Sequence, residues 1–543
     1  MLNTKRYNKY FIYLFPSLYL LLGFYFRQVF GDLSLRTIDP EYIHFISGLC
    51  VSTGKFSQAN IDQPAALLQI LLAAVFKTVY FFRNHNLPYF EDVIRHSDMY
   101  LAVGNLTITV ILAGTLFWAG KEVYRITKNP AYALAIQASP FLLNIWYDLS
   151  GRIYAELLFL IPVFMLQVLL LRELYGQQQT DKQRTWLYAL AIAIGLSLKM
   201  TFLPFFFLPL FFLKTLRNKL KYILFTVLFF FLLSPQVLVQ FGRFRRWMFS
   251  IFIHNGTYEG GSRSIIDTTV FTKNLETLVG AKTHFFEAFA ALIMLTLVLI
   301  IVKKGKSIPA RTGMGLTVVL LGFVFFMGKH YEMRYFVPAL LFFPFILILD
   351  LEIMASFFHK KTMGIVLSLL LMVIIGYKLK QEIPYMRVVS QSVGAQVAAR
   401  EKTRAIAGSL PRDSYKIIVS QDYGCPYQEY AIMYSFCMAG KNWPGYKKKL
   451  NKLYPLTYQY FTWDNTIKYW GKAFYPDSIV ASGKPVFLYL EKNTKALYNK
   501  TIHKFFARYP DFTIKKKLIF ENPENGEAIL QLFITQTNKG VDR

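Results

Sequence analysis

Cysteine is scarce: Cys50, Cys425 and Cys437 are the only three in 543 residues, and no pair has CxxC spacing. A disulfide scaffold, a zinc ribbon and a thioredoxin-like redox motif are thereby excluded. Charge is scarce as well. Asp, Glu, Lys and Arg make up 17% of the chain, against about 25% in soluble proteins. Acidic residues are especially few, 32 against 61 basic, for a net charge of +29. Tandem repeats and low-complexity tracts are also lacking. In excess are apolar and aromatic residues, with 54% hydrophobic, 51 Phe and 35 Tyr. An ordinary globular enzyme and a disordered chain are therefore both excluded. A basic excess in a soluble chain would point to nucleic acid, whereas in a chain this apolar it points to cytoplasmic loops and anionic lipid head groups.

A hydrocarbon core about 30 Å thick takes roughly 20 apolar residues as helix. The first such run, FIYLFPSLYLLLGFYF, follows Lys5, Arg6 and Lys9. No small-x-small cleavage site follows it, so it reads as an uncleaved span with a cytoplasmic N-terminus. Further spans are expected at 98–120, 131–149, 154–172, 186–213, 222–240, 285–302, 312–328, 335–352 and 362–378. The 186–213 run carries Lys199 at its centre. A charge at mid-depth is costly, so this run is expected to form two short helices turning at Lys199, for about eleven spans in all.

The segment 64–82, PAALLQILLAAVFKTVYFF, decides the topology. If it spans, the basic loops at 121–128, 172–184, 214–221, 303–311 and 359–361 all fall outside. If it lies along the outer interface, all five fall inside, as the positive-inside tendency requires. The second arrangement places the loop 31–63, the turn from Asp148 to Glu156, Lys199, the long loop 241–284 and Lys329-His330-Tyr331-Glu332-Met333-Arg334 on one extracytoplasmic face.

The tail 381–543 has a soluble composition, with strand-like runs KIIVS, PVFLYL, KLIFE and AILQLFI and a helical stretch around 428–440. It is expected to be a small extracytoplasmic α/β domain following a transmembrane domain over 1–380. Cys425 and Cys437 lie there, either bridged in an oxidising compartment or as two buried thiols. The sequons at Asn255 and Asn499 carry little weight.

Four stretches on that face could carry chemistry. Asp39-Pro40-Glu41 places two carboxylates at the membrane boundary, where partial desolvation raises basicity and suits a carboxylate to take a proton from a hydroxyl; a solvated proline turn is the plain alternative. In the second stretch Arg152 and Glu156, four apart, would share a face if a helix begins near Gly151, and form an ion pair or align a ligand. Lys199 reads as a phosphate counter-ion or a snorkelling lysine. Lys329, His330, Glu332 and Arg334 are expensive between two spans unless they meet water, a partner or a charged ligand, and Arg offers a fork to phosphate oxygens. Over them, the loop 241–284 adds Arg243, Arg245, Arg246, His254, Tyr258, Glu259 and Arg263 around Gly256, Gly260 and Gly261, which suggests a mobile cover.

Together these stretches resemble the GT-C superfamily of glycosyltransferases that use polyprenyl-phosphate sugars, which includes protein O-mannosyltransferases and bacterial aminoarabinose transferases. The resemblance covers roughly residues 8–380. Asp39-Pro40-Glu41-Tyr42 with Gly48 or Gly54 is similar to the first-loop acidic stretch of that family, and Ile61-Asp62-Gln63-Pro64 to the proline-bearing segment before its juxtamembrane helix. Arg152 to Glu156 matches an Arg-x-x-x-Asp placement with Glu for Asp, and Gly195 to Lys199 a Gly-Leu-x-x-Lys turn. Pro40 splits the acidic pair, which leaves both Asp39 and Glu41 as candidates for the base.

The resemblance implies a GT-C-like polytopic helical fold with outer juxtamembrane helices; the loop charges and an odd number of crossings put the C-terminus outside, and the expected membrane is a bacterial inner membrane with a periplasmic C-terminus. The resemblance further implies a polyprenyl-phosphate sugar donor, a lipid, glycan or protein acceptor, and no nucleic acid partner. Asp39 would act as general base in one inverting displacement, and Arg334, Lys199, His330 and Arg152, with Glu156 and Glu332 beside them, would surround the phosphate. A divalent metal near Asp39, Glu41 and Glu156 is left open and is not assigned. A flippase or transporter of an anionic solute and a polysaccharide polymerase or ligase are the competing readings; the first lacks the expected symmetry between halves.

Overall fold

A computed structural model describes residues 10–537, apart from 84–85, 178–179, 255–262, 265, 282–283, 304–306, 358–359, 421–423, 437, 441–442, 444, 463 and 471. The sequon at Asn255, Tyr258, Glu259, the glycines 256, 260 and 261, and Cys437 lie outside the described residues. The chain forms two compact units. The first comprises Met1–Phe26, Ile61–Leu71 and Asn105–Val389; the second comprises Arg27–Asn60, Leu72–Gly104 and Ser390–Arg543.

The chain is a polytopic helical protein with a β-sheet near its C-terminus. Among the described residues six helical stretches are long and apolar enough to cross a bilayer: Tyr10–Val29, Ser97–Thr127, Ala155–Leu174, Phe285–Val302, Ile308–Lys329 and Met333–Ala355. Other apolar runs take shorter or broken forms. The run 131–149 becomes Pro130–Ala138, a 3₁₀ turn Ser139–Leu142 and Asn144–Ser150, with Pro140 removing an amide where the α-helix yields. Leu216–Leu233 is followed at once by Pro235–Val239. The run 362–378 is part of the 50-residue helix Lys360–Ser409.

Ala66–Phe82 has 17 residues. At about 1.5 Å per residue it is about 25 Å long, shorter than a hydrocarbon core of about 30 Å. The stretch 241–284, expected as a loop, contains two helices instead, Phe241–Ile253 and Thr268–Gly280. The physical reason is amphipathicity. Phe244 and Trp247 are buried one turn apart while Arg243, Arg245 and Arg246 stay exposed, a periodicity that glycines and length obscured.

Among the described residues of the second unit seven strands form a mixed sheet: β1 Tyr415–Val419, β2 Thr457–Phe461, β3 Thr466–Tyr469, β4 Lys472–Ala473, β5 Val486–Leu490, β6 Phe512–Glu521 and β7 Ala528–Gln536. Their order is β4-β3-β2-β1-β5-β7-β6. β1 runs parallel to β2 and β5, with Ile417 opposite Leu488, and as a central strand it buries Ile417 and Val419 on one face and Ile418 on the other. One face buries Ile417, Val419, Leu488 and Leu490 with Leu530 and Leu532. The edge strand β6 exposes Lys515, Lys516 and Lys517, charges that discourage pairing with another chain.

Helix Gln428–Phe436 packs against the short helix Leu33–Arg36 and helix Glu41–Ser52. Arg400 ties these parts together: its guanidinium donates to the Leu35 carbonyl at 2.6 Å and pairs with Glu527 at 3.0 Å. The Cys425 amide donates to the Ser34 carbonyl at 2.9 Å. Cys425 is a free, buried thiol and so makes no disulfide, and burial raises its pKa well above the ordinary thiol range. Beside it, a Cβ on Gly424 would stand 2.5 Å from the Leu35 carbonyl oxygen and 2.6 Å from that of Arg36. Backbone cannot yield there, so Gly424→Ala should destabilise the second unit by about 1–3 kcal/mol, read as a lower melting temperature of the purified protein.

Candidate functional site

The first unit gathers a cation cluster where four helix ends meet. Helix Asp181–Leu198 stops because Gly195 admits the Phe202 ring into contact with its own backbone. Lys199 is then extended (φ −164°, ψ 139°) and a 3₁₀ helix Met200–Phe211 follows. Pro204 and Pro209 lie inside that second piece and deny it α-helical amides. The expected turn at Lys199 is therefore present, and its cause is Gly195 with the two prolines.

Lys199 pairs with Glu156 at 2.5 Å, and both side chains are buried. Glu156 does not share a helix face with Arg152. Asn105 donates to the Ser150 and Arg152 carbonyls at 3.2 and 2.7 Å, helix Asn144–Ser150 ends at Gly151, and Glu156 begins afresh in a 3₁₀ turn Ala155–Phe159. Arg152 turns instead to Asp148 at 3.5 Å and lies over the Tyr154 ring at 4.3 Å. The premise of a helix beginning near Gly151 fails: the Asn105 amide takes the Arg152 carbonyl that would have accepted in its first turn, and the next helical stretch starts only at Ala155.

Two tyrosine rings organise the cations. Lys199 Nζ stands 4.3 Å from the centre of Tyr335, and the Arg334 guanidinium stands 5.6 and 5.8 Å from the centres of Tyr154 and Tyr335. Arg334 Nη1 also donates to the Tyr154 hydroxyl at 3.4 Å, and its Nε lies 3.5 Å from Glu332. Gln63 donates to the Tyr335 hydroxyl at 2.8 Å. Aromatic faces attract cations and restrain their direction without neutralising them.

Beside the cluster lies a cavity of about 440 Å³. Its walls include Pro204, Phe207, Trp247, Phe325 and Phe326, and Gln63, Lys199, Lys329, His330 and Tyr335 also line it. Lys329 and His330 do a structural job there: Lys329 Nζ donates to the Phe252 carbonyl, and His330 Nε2 donates to the Ile251 carbonyl at 3.2 Å. These carbonyls belong to the last turn of helix Phe241–Ile253, which has no intrahelical donor for them. The pair thus fastens an amphipathic helix along the cavity wall.

Burial lowers the His330 pKa, with the Lys329 charge adding to the shift, below an unfolded value of about 6.5. Stability that depends on neutral His330 is complete above about pH 6.5 and is lost as pH falls through the lower folded value. The melting temperature should fall as the pH drops below about 6.5, and His330→Gln should flatten that dependence.

In the second unit, Asp39 is half-buried and accepts a hydrogen bond from the Tyr434 hydroxyl on Oδ2 at 3.1 Å. Its peptide bond to Pro40 is cis. Thr37 Oγ1 donates to the Asp39 carbonyl at 3.0 Å. Glu41, the first residue of helix Glu41–Ser52, is fully buried. Of the two carboxylates separated by Pro40, Asp39 is thus the more accessible. The sequence candidates divide accordingly: Arg152, Glu156, Lys199, His330, Glu332 and Arg334 stand in the first unit, Asp39 and Glu41 in the second.

No family model matches the sequence, and no curated protein matches it. Among solved structures the chain is similar to ArnT from Cupriavidus metallidurans bound to undecaprenyl phosphate, at a TM-score of 0.49 and 11% identity, over 95% of this chain and 97% of that one.

Four residues of the arrangement were not among the sequence candidates: Gln63, Tyr154, Tyr335 and Tyr434. Tyr154 lies between Asp148 and Glu156, and Tyr335 directly follows Arg334, where a tyrosine flanking a cation is a usable signal. Gln63 carries a positive φ of 54°, which nothing in its residue type announces. Tyr434 sits in the tail, 395 residues from Asp39, and no local pattern marks it. Among the described residues no group of three His, Cys, Asp or Glu side chains is placed to hold a metal ion.

Proposed function

We propose that the chain is an integral-membrane glycosyltransferase that moves a sugar from a polyprenyl-phosphate donor to an acceptor hydroxyl. The observation that carries this reading is the pairing of an apolar cavity with a cation cluster at its edge in the first unit. A ligand fitting both has a long apolar chain and an anionic head, the chemistry of a lipid phosphate. The expected placement of basic loops supports an extracytoplasmic site with a cytoplasmic N-terminus, and a bacterial inner membrane with a periplasmic C-terminus is part of the proposal.

In the proposed reaction the acceptor oxygen attacks the anomeric carbon as the carbon–oxygen bond to phosphate breaks, which inverts that carbon. Asp39 takes the hydroxyl proton. Arg334 and Lys199 compensate the charge that grows on the departing phosphate, and Tyr154 and Tyr335 hold the two cations in place. Glu156 keeps Lys199 extended and charged. Arg152, Glu332 and His330 position the groups around them, and helix Phe241–Ile253 keeps water from the donor.

The test is transfer itself. Purified protein is given a polyprenyl-phosphate sugar labelled in the sugar, with a membrane-extract acceptor pool. Transfer of label to an acceptor with release of polyprenyl phosphate supports the reading. Movement of intact donor between the leaflets of vesicles, with no bond broken, would replace it with transport.

A further inference from the structure

We propose that Tyr434 is a positioning residue for Asp39, so that the β-sheet unit near the C-terminus serves the reaction directly; this rests on the reading of Asp39 as general base. Tyr434 lies in helix Gln428–Phe436, which packs on the two short helices flanking Asp39. Its hydroxyl donates to Asp39 Oδ2 at 3.1 Å. The placement is fixed from several sides. The chain just before the helix is held by the Cys425 amide on Ser34, Gly424 fits only without a side chain, and Arg400 grips Leu35.

A hydrogen bond to one carboxylate oxygen does two things for a base. It fixes the plane of the carboxylate, and it favours the ionised form, which opposes the effect of partial burial. Two or three such bonds hold a carboxyl well below its ordinary range, so loss of one is expected to raise the midpoint by about 0.5–1 unit. The titratable and charged groups on the elements packed there are Arg36 at the end of helix Leu33–Arg36, Glu41 and His44 on helix Glu41–Ser52, and Glu429 on helix Gln428–Phe436, with Asp98 accepting from the Tyr42 hydroxyl at 2.8 Å and Arg400 donating to the Leu35 carbonyl at 2.6 Å. Tyr434→Phe leaves all of them in place and keeps the ring, so a change of midpoint reports the lost phenol.

The experiment uses the full chain in detergent. Carbodiimide labelling of Asp39, which requires the protonated carboxyl, is followed by mass spectrometry across pH 3–8 for the wild type and Tyr434→Phe, and sugar transfer is measured for both and for Asp39→Asn. The expected result is a labelling midpoint raised by about 0.5–1 unit in Tyr434→Phe, an acid limb of the transfer profile raised with it, and kcat lowered about tenfold with KM little changed. An unchanged midpoint and acid limb overturn the role of Tyr434 even if Asp39→Asn abolishes transfer. Conversely, a raised midpoint with full transfer by Asp39→Asn overturns the base assignment and leaves the hydrogen bond standing without a catalytic duty.

Discussion

Asp39→Asn should lower sugar transfer by about 10²–10⁴-fold, the usual contribution of a positioned general base. The amide is nearly isosteric and can still accept from Tyr434 through its oxygen, so the melting temperature should stay close to that of the wild type. Donor binding should be unchanged, because Asp39 is assigned to the acceptor's proton and not to the phosphate. Glu41→Gln should behave differently. Its carboxyl is fully buried at the start of helix Glu41–Ser52, so its loss should appear mainly in stability. If Glu41→Gln abolishes transfer in a folded protein and Asp39→Asn does not, the roles of the two carboxylates are reversed.

The second large effect concerns the buried pair Lys199–Glu156. Removing one partner of a buried pair leaves an uncompensated charge and typically destabilises by about 3–5 kcal/mol. Lys199→Met alone should therefore unfold readily. Lys199→Met with Glu156→Gln should recover most of that stability, since no bare charge remains. It should not recover transfer, because the cation facing Tyr335 is gone; a loss of about 10²–10³-fold is expected, the scale seen when one oxyanion-stabilising donor is removed. Arg334→Ala should show the same kinetic loss with a smaller effect on stability, because its Glu332 partner is substantially solvent-accessible. Should the double variant regain full transfer, the pair would be structural and the leaving-group role would fall to other residues.

Much of the architecture was legible because apolar runs are a strong signal. KIIVS, PVFLYL, KLIFE and AILQLFI mark four of the seven strands, β1, β5, β6 and β7, and the helix near 428 is present. TYQYF, β2, was harder to see, since its polar residues break the period of a buried strand. The helix Phe241–Ile253 was missed for the opposite reason: three arginines in its polar face read as solvated loop, while its buried residues Phe244 and Trp247 are only two positions among thirteen.

The candidate site was legible by kind and not by partner. The turn at Lys199 followed from the cost of a charge in an apolar run, but its partner Glu156 depends on where Asn105 ends a preceding helix, a contact across some fifty residues. His330 was expected at the phosphate, and its Nε2 donates to a backbone carbonyl instead. A lysine or histidine next to an apolar cavity can serve a ligand or a helix end equally well, and only the location of orphan carbonyls separates the two.

The central claim is that the first unit holds a lipid phosphate, its chain in the apolar cavity and its head on Lys199 and Arg334. Native mass spectrometry of the purified chain with added polyprenyl phosphate tests this most directly. The account predicts a one-to-one complex that persists in Asp39→Asn, is weakened at least tenfold in Arg334→Ala, and is not reproduced by the polyprenyl alcohol lacking the phosphate. Equal binding by wild type and Arg334→Ala, or equal binding of the alcohol, would contradict it.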